Sequence, residues 1–103
     1  MDTVDKGTKS EREFRLEAEL EAACVLLAKA EGWTVRKVKF LGHNAAPDRL
    51  FGKRRAFLCE FKRRGQEPTP LQYIEHAQLR AIGLSVEWTD SFEGFKALLD
   101  AYS

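Results

Sequence analysis

The chain has 103 residues, 44% of them apolar, three prolines and a formal net charge of +1. That length allows one domain with a single modest core, and the composition excludes a largely disordered chain. No apolar run approaches the roughly eighteen residues of a membrane span, and the charged start from Met1 to Lys9 is no signal peptide.

Met1 to Lys9 is polar and aperiodic and reads as a flexible arm, which leaves 10–103 as the folded domain. Ser10 and Glu13 have capping-box spacing. Leu16, Leu20, Ala23, Cys24, Leu27 and Ala30 then recur at helical spacing, and Gly32 supplies a C-terminal stop, so a helix is expected from about Glu11 to Glu31. Trp33 to Phe40 reads as a strand. In it Trp33 and Val35 face one way and Val38 and Phe40 the other, which a bulge or a strand buried on both sides would explain. Leu41 to Ala46 is a loop whose His43 is open to three readings: exposed, general base or phosphate ligand.

Pro47-Asp48-Arg49-Leu50-Phe51 and Ala56-Phe57-Leu58-Cys59-Glu60-Phe61-Lys62 are two apolar runs around the polar turn Gly52-Lys53-Arg54-Arg55, the pattern of a β-hairpin. Period-two alternation puts Ala56, Leu58, Glu60 and Lys62 on one face and Phe57, Cys59 and Phe61 on the other, with the aromatic face expected in the core. A carboxylate and an ammonium then lie side by side at the end of a strand apolar enough to be central. Asp48 starts the partner strand and falls next to them across the hairpin. Two carboxylates and a lysine converging in this way are suited to a hard divalent cation, with the lysine beside the attacked group.

Arg63-Arg64-Gly65-Gln66-Glu67-Pro68 is a basic turn. Thr69 can cap a second helix with Pro70 at its first position and Gln72 completing a capping box. Leu71, Ile74, Gln78, Leu79 and Ile82 are expected as the buried side of this helix, and Gly83 ends it. Ser85 to Thr89 is a short strand, and Asp90 or Ser91 caps a last helix, Phe92 to Ala101, packing through Phe92, Phe95, Leu98 and Leu99. The order is α-β-β-β-α-β-α. The expected fold is α/β, a mixed four-stranded sheet with helices on both sides, the last strand returning parallel to the Glu60 strand by a right-handed crossover.

Charge is unevenly placed. From Glu11 to Glu31 acids outnumber bases, whereas Arg36, Lys37, Lys39, Arg49, Lys53, Arg54, Arg55, Lys62, Arg63 and Arg64 stand against only Asp48 and Glu60 in the middle of the chain. A basic half around two carboxylates suits a protein that holds phosphates and a metal together. Arg36, Arg49, Lys53, Arg54, Arg55, Arg63 and Arg64 are the candidate phosphate contacts. Cys24 and Cys59 have neither metal-ligand nor redox spacing and read as buried free thiols in a reducing, cytoplasmic setting.

Taken together, Pro47-Asp48 followed by Glu60-Phe61-Lys62 resembles the P-D…(D/E)-x-K signature of restriction-endonuclease-like nucleases. More narrowly, Leu16 to Leu84 resembles the virus-type replication-repair nuclease (VRR-NUC) domain. The resemblance rests on Glu17, Gly32-Trp33, Ala46-Pro47-Asp48-Arg49-Leu50, Glu60-Phe61-Lys62-Arg63, Pro70-x-Gln72 and Leu79-x-x-x-Gly83, in the order the family uses and over about two thirds of the chain. Each motif is weak alone, and the ordered set is specific. The loop before Asp48 departs from the family's usual basic and glycine residues with His43-Asn44-Ala45-Ala46, which bears on a phosphate contact there and not on the metal site.

What the resemblance implies is a metal-dependent, structure-selective DNA endonuclease of branched DNA, four-way (Holliday) junctions above all, acting as a homodimer in a bacterial or phage-infected cell. It implies no nucleotide cofactor. Asp48 and Glu60 would hold Mg²⁺ or Mn²⁺, with a glutamate from the first helix, Glu17 or one turn on Glu21, completing the shell. Lys62 would act as a cation at the transition state rather than as a neutral base, and Gln72 would position substrate or water, a role set beside its capping one. The alternatives are a flap or duplex nuclease without junction preference, and a non-catalytic nucleic-acid-binding module in which Glu60 and Lys62 are a structural ion pair.

Overall fold

Both faces of one strand are buried, and the other elements cover them. The computed structural model describes residues 16–103. Within it, α1 (Glu17–Ala30) leads to β1 (Thr34–Lys37), β2 (Arg49–Gly52) and β3 (Ala56–Phe61). Then come α2 (Pro70–Ala81), β4 (Val86–Thr89) and α3 (Phe92–Tyr102). The sheet runs in the order β1-β2-β3-β4. The first two pairings are antiparallel, and β3 pairs with β4 in parallel, Leu58 beside Val86 and Phe61 beside Thr89. Element order and mixed sheet are those expected from the sequence.

The two sides of the sheet differ in what they bury. On one side, Leu20, Cys24 and Ala28 of α1 and Phe95 and Leu99 of α3 pack with Trp33, Val35, Phe51, Phe57, Cys59 and Phe61. Phe51 and Phe57 stack with centroids 5.4 Å apart. At about 1.5–3 kcal/mol for each fully buried large side chain, this side supplies most of the apolar stabilisation. On the α2 side the buried apolar set among the described residues is Leu58, Leu79 and Val86, with Val38, Phe40 and Leu50 partly covered. β1 itself is buried on one side, through Val35, with Thr34, Arg36 and Lys37 exposed. It ends at Lys37, short of the expected Phe40, and Val38 and Phe40 beyond it are half-buried on the α2 side. The thinner side has room for polar groups.

Three expectations about the helices need correction or completion. Leu16 is extended (φ −94°, ψ 136°) and makes no side-chain cap, so α1 starts at Glu17 and not near Glu11. The Ser10 and Glu13 capping box and the 1–9 arm lie outside the described residues. Ser91, rather than Asp90, caps α3 by accepting from the Gly94 N–H at 3.0 Å. The larger correction is α2. Its buried residues are Glu75, His76 and Leu79, while Leu71 is 72% and Ile82 76% exposed, and Ile74 and Gln78 also face outwards. Two stripes compete on this helix, an apolar one through Leu71, Ile74 and Ile82 and a mostly polar one through Gln72, Glu75 and His76 that ends on Leu79. This second stripe faces the sheet, where Gln72 and His76 bond the buried Glu60 carboxylate and Leu79 joins the apolar cluster.

Candidate active site

Asp48 stands just ahead of β2, held by its backbone on both sides: its N–H donates to Cys59 O at 3.0 Å and its carbonyl accepts from Val38 N–H at 3.1 Å. Pro47 before it is fully buried. The side chain turns towards β3, where Oδ2 accepts the Phe61 N–H at 2.7 Å.

Glu60, near the end of β3, projects towards α2 and is 3% exposed. Both carboxylate oxygens are engaged. Oε1 lies 3.2 Å from His76 Nε2, and Oε2 accepts from Gln72 Nε2 at 3.1 Å. Lys62, also buried, donates from Nζ to Gln72 Oε1 at 3.1 Å, and its backbone N–H donates to Thr89 O at 3.0 Å. Gln72 thus binds the acid with its amide nitrogen and the base with its amide oxygen.

The same oxygen accepts the Thr69 N–H at 2.9 Å, and Thr69 Oγ1 accepts the Gln72 N–H at 3.2 Å, completing the capping box. Capping and site roles, set side by side for Gln72 in the sequence, belong to one amide. Because Gln72 lies in the first turn, the cap that starts α2 also aims the helix at Glu60.

The electrostatics are those of crowded acid. Burial, partly offset by the Phe61 N–H, pushes the Asp48 carboxyl up to about 6, and the charges of Glu60, Glu21 and Glu17 push the same way. On α1, Glu21 is taken up by Arg49 (Nε to Oε2, 2.5 Å) and by Lys37 at 3.7 Å. Glu17, one turn earlier, is exposed. Both first-helix candidates therefore lie around Asp48, with Glu21 committed to Arg49.

Among the described residues, no group of three or more His, Cys, Asp or Glu side chains is arranged to hold a metal ion. The donors on hand are two carboxylates, Asp48 and Glu60. Mg²⁺ and Mn²⁺ fit such a set, since Mg²⁺ is commonly held by one or two carboxylates with waters and substrate phosphates filling the other positions. The raised Asp48 carboxyl marks an anionic excess that a cation would relieve.

His43 sits elsewhere. Its Nδ1 is 3.7 Å from Glu75 Oε1, in a groove of about 390 Å³ lined by Phe40, His43, Glu75, Gln78, Leu79 and Ile82. Asp48, Glu60 and Lys62 take no part in that lining.

The basic candidates fall into two groups. Arg36, Arg49, Arg63 and Arg64 belong to segments that meet at the Asp48 and Glu60 end of the sheet. Lys53, Arg54 and Arg55 form the hairpin turn at the opposite end of β2 and β3. There Lys53 Nζ lies 5.8 Å from the Trp33 ring centroid, and Arg55 donates to Ala101 O and lies over Tyr102. Arg36 donates to Val35 O at 2.9 Å.

Cys24 and Cys59 are free and buried. Burial pushes both thiols up, so neither is a nucleophile for this site. His76 is the site neighbour that sequence reasoning missed. Its signal was position: four residues after Gln72, it shares the face that carries Gln72 to Glu60.

No family model matches the chain, and no curated protein matches it. A solved structure described as a VRR_NUC domain does, with a TM-score of 0.75 and 29% identity over 84% of this chain and 97% of that one.

Proposed function

Starting from a chain with the fold and motif order of the VRR-NUC nuclease-domain family, we propose that it is a divalent-metal-dependent DNA endonuclease that hydrolyses phosphodiester bonds in branched DNA, four-way junctions above all, as a homodimer. The observation that carries this reading is the pairing of Asp48 with Glu60 at one end of the sheet. Lys62 is tied to the same amide as Glu60, and the Asp48 carboxyl is raised to about 6 by burial and neighbouring acids.

Asp48 and Glu60 would hold Mg²⁺ or Mn²⁺, with Glu17 completing or orienting the shell. When bound, the cation supplies charge neutralisation at the attacked phosphate and a more acidic water. The chain's own side chains do the rest. Lys62, fixed through Gln72, puts a positive charge where negative charge builds on the phosphate. Gln72 keeps acid and lysine at a set separation. Arg36, Arg49, Arg63 and Arg64 hold phosphates next to the cut, and Lys53, Arg54 and Arg55 reach phosphates further along a duplex arm.

A domain this small has little surface for reading bases, which favours recognition of backbone geometry. Two copies related by a two-fold axis match the symmetry of a four-way junction. The exposed apolar side chains of α2, Leu71, Ile74 and Ile82, supply a surface for two copies to share.

The test is cleavage of a labelled four-way junction against a flap and a linear duplex of the same sequence, with Mg²⁺, Mn²⁺ or chelator. Metal-dependent, symmetric cuts in the junction that vanish in Glu60→Ala support the proposal. Equal cutting of all three substrates would replace it with a generic nuclease. Binding without cutting under any metal would make the chain a binding module.

A further inference from the structure

His76 lies in α2 with no exposed surface, and its Nε2 is 3.2 Å from Glu60 Oε1. Its other ring nitrogen, Nδ1, is also buried and has no hydrogen-bond partner among the described residues. An ionised carboxylate only accepts, so the contact places the ring hydrogen on Nε2.

We propose that His76 is a positioning residue for Glu60, which together with Gln72 fixes the rotation of the carboxylate that holds the catalytic metal. The proposal rests on the hydrolase reading above.

Gln72 and His76 are one helical turn apart on the same face, and they take different oxygens of the one carboxylate. A single donor leaves the group free to swing about its last bond. Two donors from one rigid helix do not. Each oxygen keeps a second acceptor position, so the clamp orients Glu60 without using up its capacity for a cation. The pattern is that of outer partners that aim a metal-binding carboxylate.

The unpaired Nδ1 argues in the same direction. An apolar side chain at position 76 would fill the space beside Leu79 without burying an orphan polar atom. Tyr73, the aromatic neighbour, meets the ring edge-on with centroids 6.4 Å apart and gives Nδ1 no hydrogen bond. What the imidazole adds over a leucine is its bond to Glu60. Nor is His76 read as a metal ligand, because the nitrogen it turns towards the site is occupied by the carboxylate.

The experiment has two parts. In ¹⁵N-labelled, metal-free protein, the His76 Nε2–H proton should give an exchange-protected signal that moves when Glu60 is changed to Ala. Mn²⁺ affinity by calorimetry and single-turnover cleavage are then compared across wild type, His76→Leu and His76→Gln. His76→Leu should lose about 10–100-fold in Mn²⁺ affinity and in cleavage rate, with DNA affinity and melting temperature held. His76→Gln, whose amide nitrogen reaches the same place, should recover most of both. If His76→Leu does not fold, His76→Met, which fills the space without a donor, takes its place against His76→Gln.

The proposal is overturned if the ring hydrogen sits on Nδ1, if the leucine or methionine variant keeps wild-type Mn²⁺ affinity and rate, or if glutamine does no better than leucine. A wild-type chain that shows the Nε2–H signal but neither takes up Mn²⁺ nor cuts DNA would overturn the hydrolase reading instead. The signal separates that failure from a missing His76–Glu60 bond.

Discussion

Asp48 Oδ2 accepts the backbone N–H of Phe61 at 2.7 Å, so this carboxylate is anchored through the residue after Glu60 and not through the Glu60 side chain. The two acids are held independently, Asp48 by the hairpin and Glu60 by α2. Removing one leaves the other in place, which makes single substitutions informative.

The first expectation concerns pH and stability in metal-free protein. The folded Asp48 carboxyl titrates at about 6, above the value of about 4 of an unfolded aspartate. Between those values the unfolded chain gives up its proton while the folded chain keeps it, so Asp48 subtracts stability progressively from about pH 4 to pH 6 and by a constant amount above. Asp48→Asn should therefore match wild type below about pH 4, gain an advantage through pH 6 and hold it to pH 8. Chemical denaturation at four pH values with chelator measures this, and Mg²⁺ should shrink the advantage. A wild type more stable than the variant at pH 8 without metal would contradict it.

Gln72 offers a separation of stability from activity. Gln72→Ala removes the cap partner and both site bonds, at a cost of about 0.5–2 kcal/mol in stability and a large loss of cleavage. Gln72→Glu keeps an acceptor for the Thr69 N–H but sets a second carboxylate against Glu60 and removes the donor to it. It should hold α2 better than alanine does, yet cut no better. Paired melts and single-turnover rates decide the matter.

The two basic clusters should differ in salt dependence. Removing one cation that neutralises a phosphate lowers the slope of log affinity against log salt by about 0.9 on duplex DNA. Arg63→Ala with Arg64→Ala should lower that slope by about 1–2 and slow cleavage. The triple change Lys53→Ala, Arg54→Ala and Arg55→Ala should weaken binding to long arms while leaving cleavage of bound junction intact, because this turn lies at the far end of β2 and β3. Equal effects on cleavage would erase the distinction.

The exposed apolar side chains of α2 carry the dimer expectation. Ile74→Glu with Ile82→Glu changes two exposed positions and should leave the fold intact. In sedimentation the mass should fall from two chains to one, and symmetric junction cutting should give way to single nicks. A monomeric wild type would remove the dimer from the proposal.

Much of this architecture was legible in the sequence because its signals are local. Thr69, Pro70 and Gln72 announce a capped helix, and the alternation from Ala56 to Phe61 gives a strand with Glu60 and Leu58 on one face. The buried side of α2 was not legible. Apolar periodicity ranks Leu71, Ile74 and Ile82 above Gln72, Glu75 and His76, and only the tertiary presence of Glu60 reverses that order. The start of α1 went wrong for a related reason, since a capping pattern upstream says nothing of the extended backbone at Leu16. Periodicity reports where oil belongs. It is silent where a buried charge sets the terms.

The site's own bonds join residues close in sequence: Asp48 to Phe61 spans 13 positions, Glu60 to Gln72 12 and Glu60 to His76 16. The tie from α1, Glu21 to Arg49, spans 28. Loop-closure entropy grows with such spans, so the hairpin and the start of α2 can meet before the ends of the chain arrive. Folding should then begin where the acids are, with two carboxylates brought together early. A divalent cation would speed refolding as well as stabilise its product, and stopped-flow refolding with and without Mg²⁺ would show the faster limb.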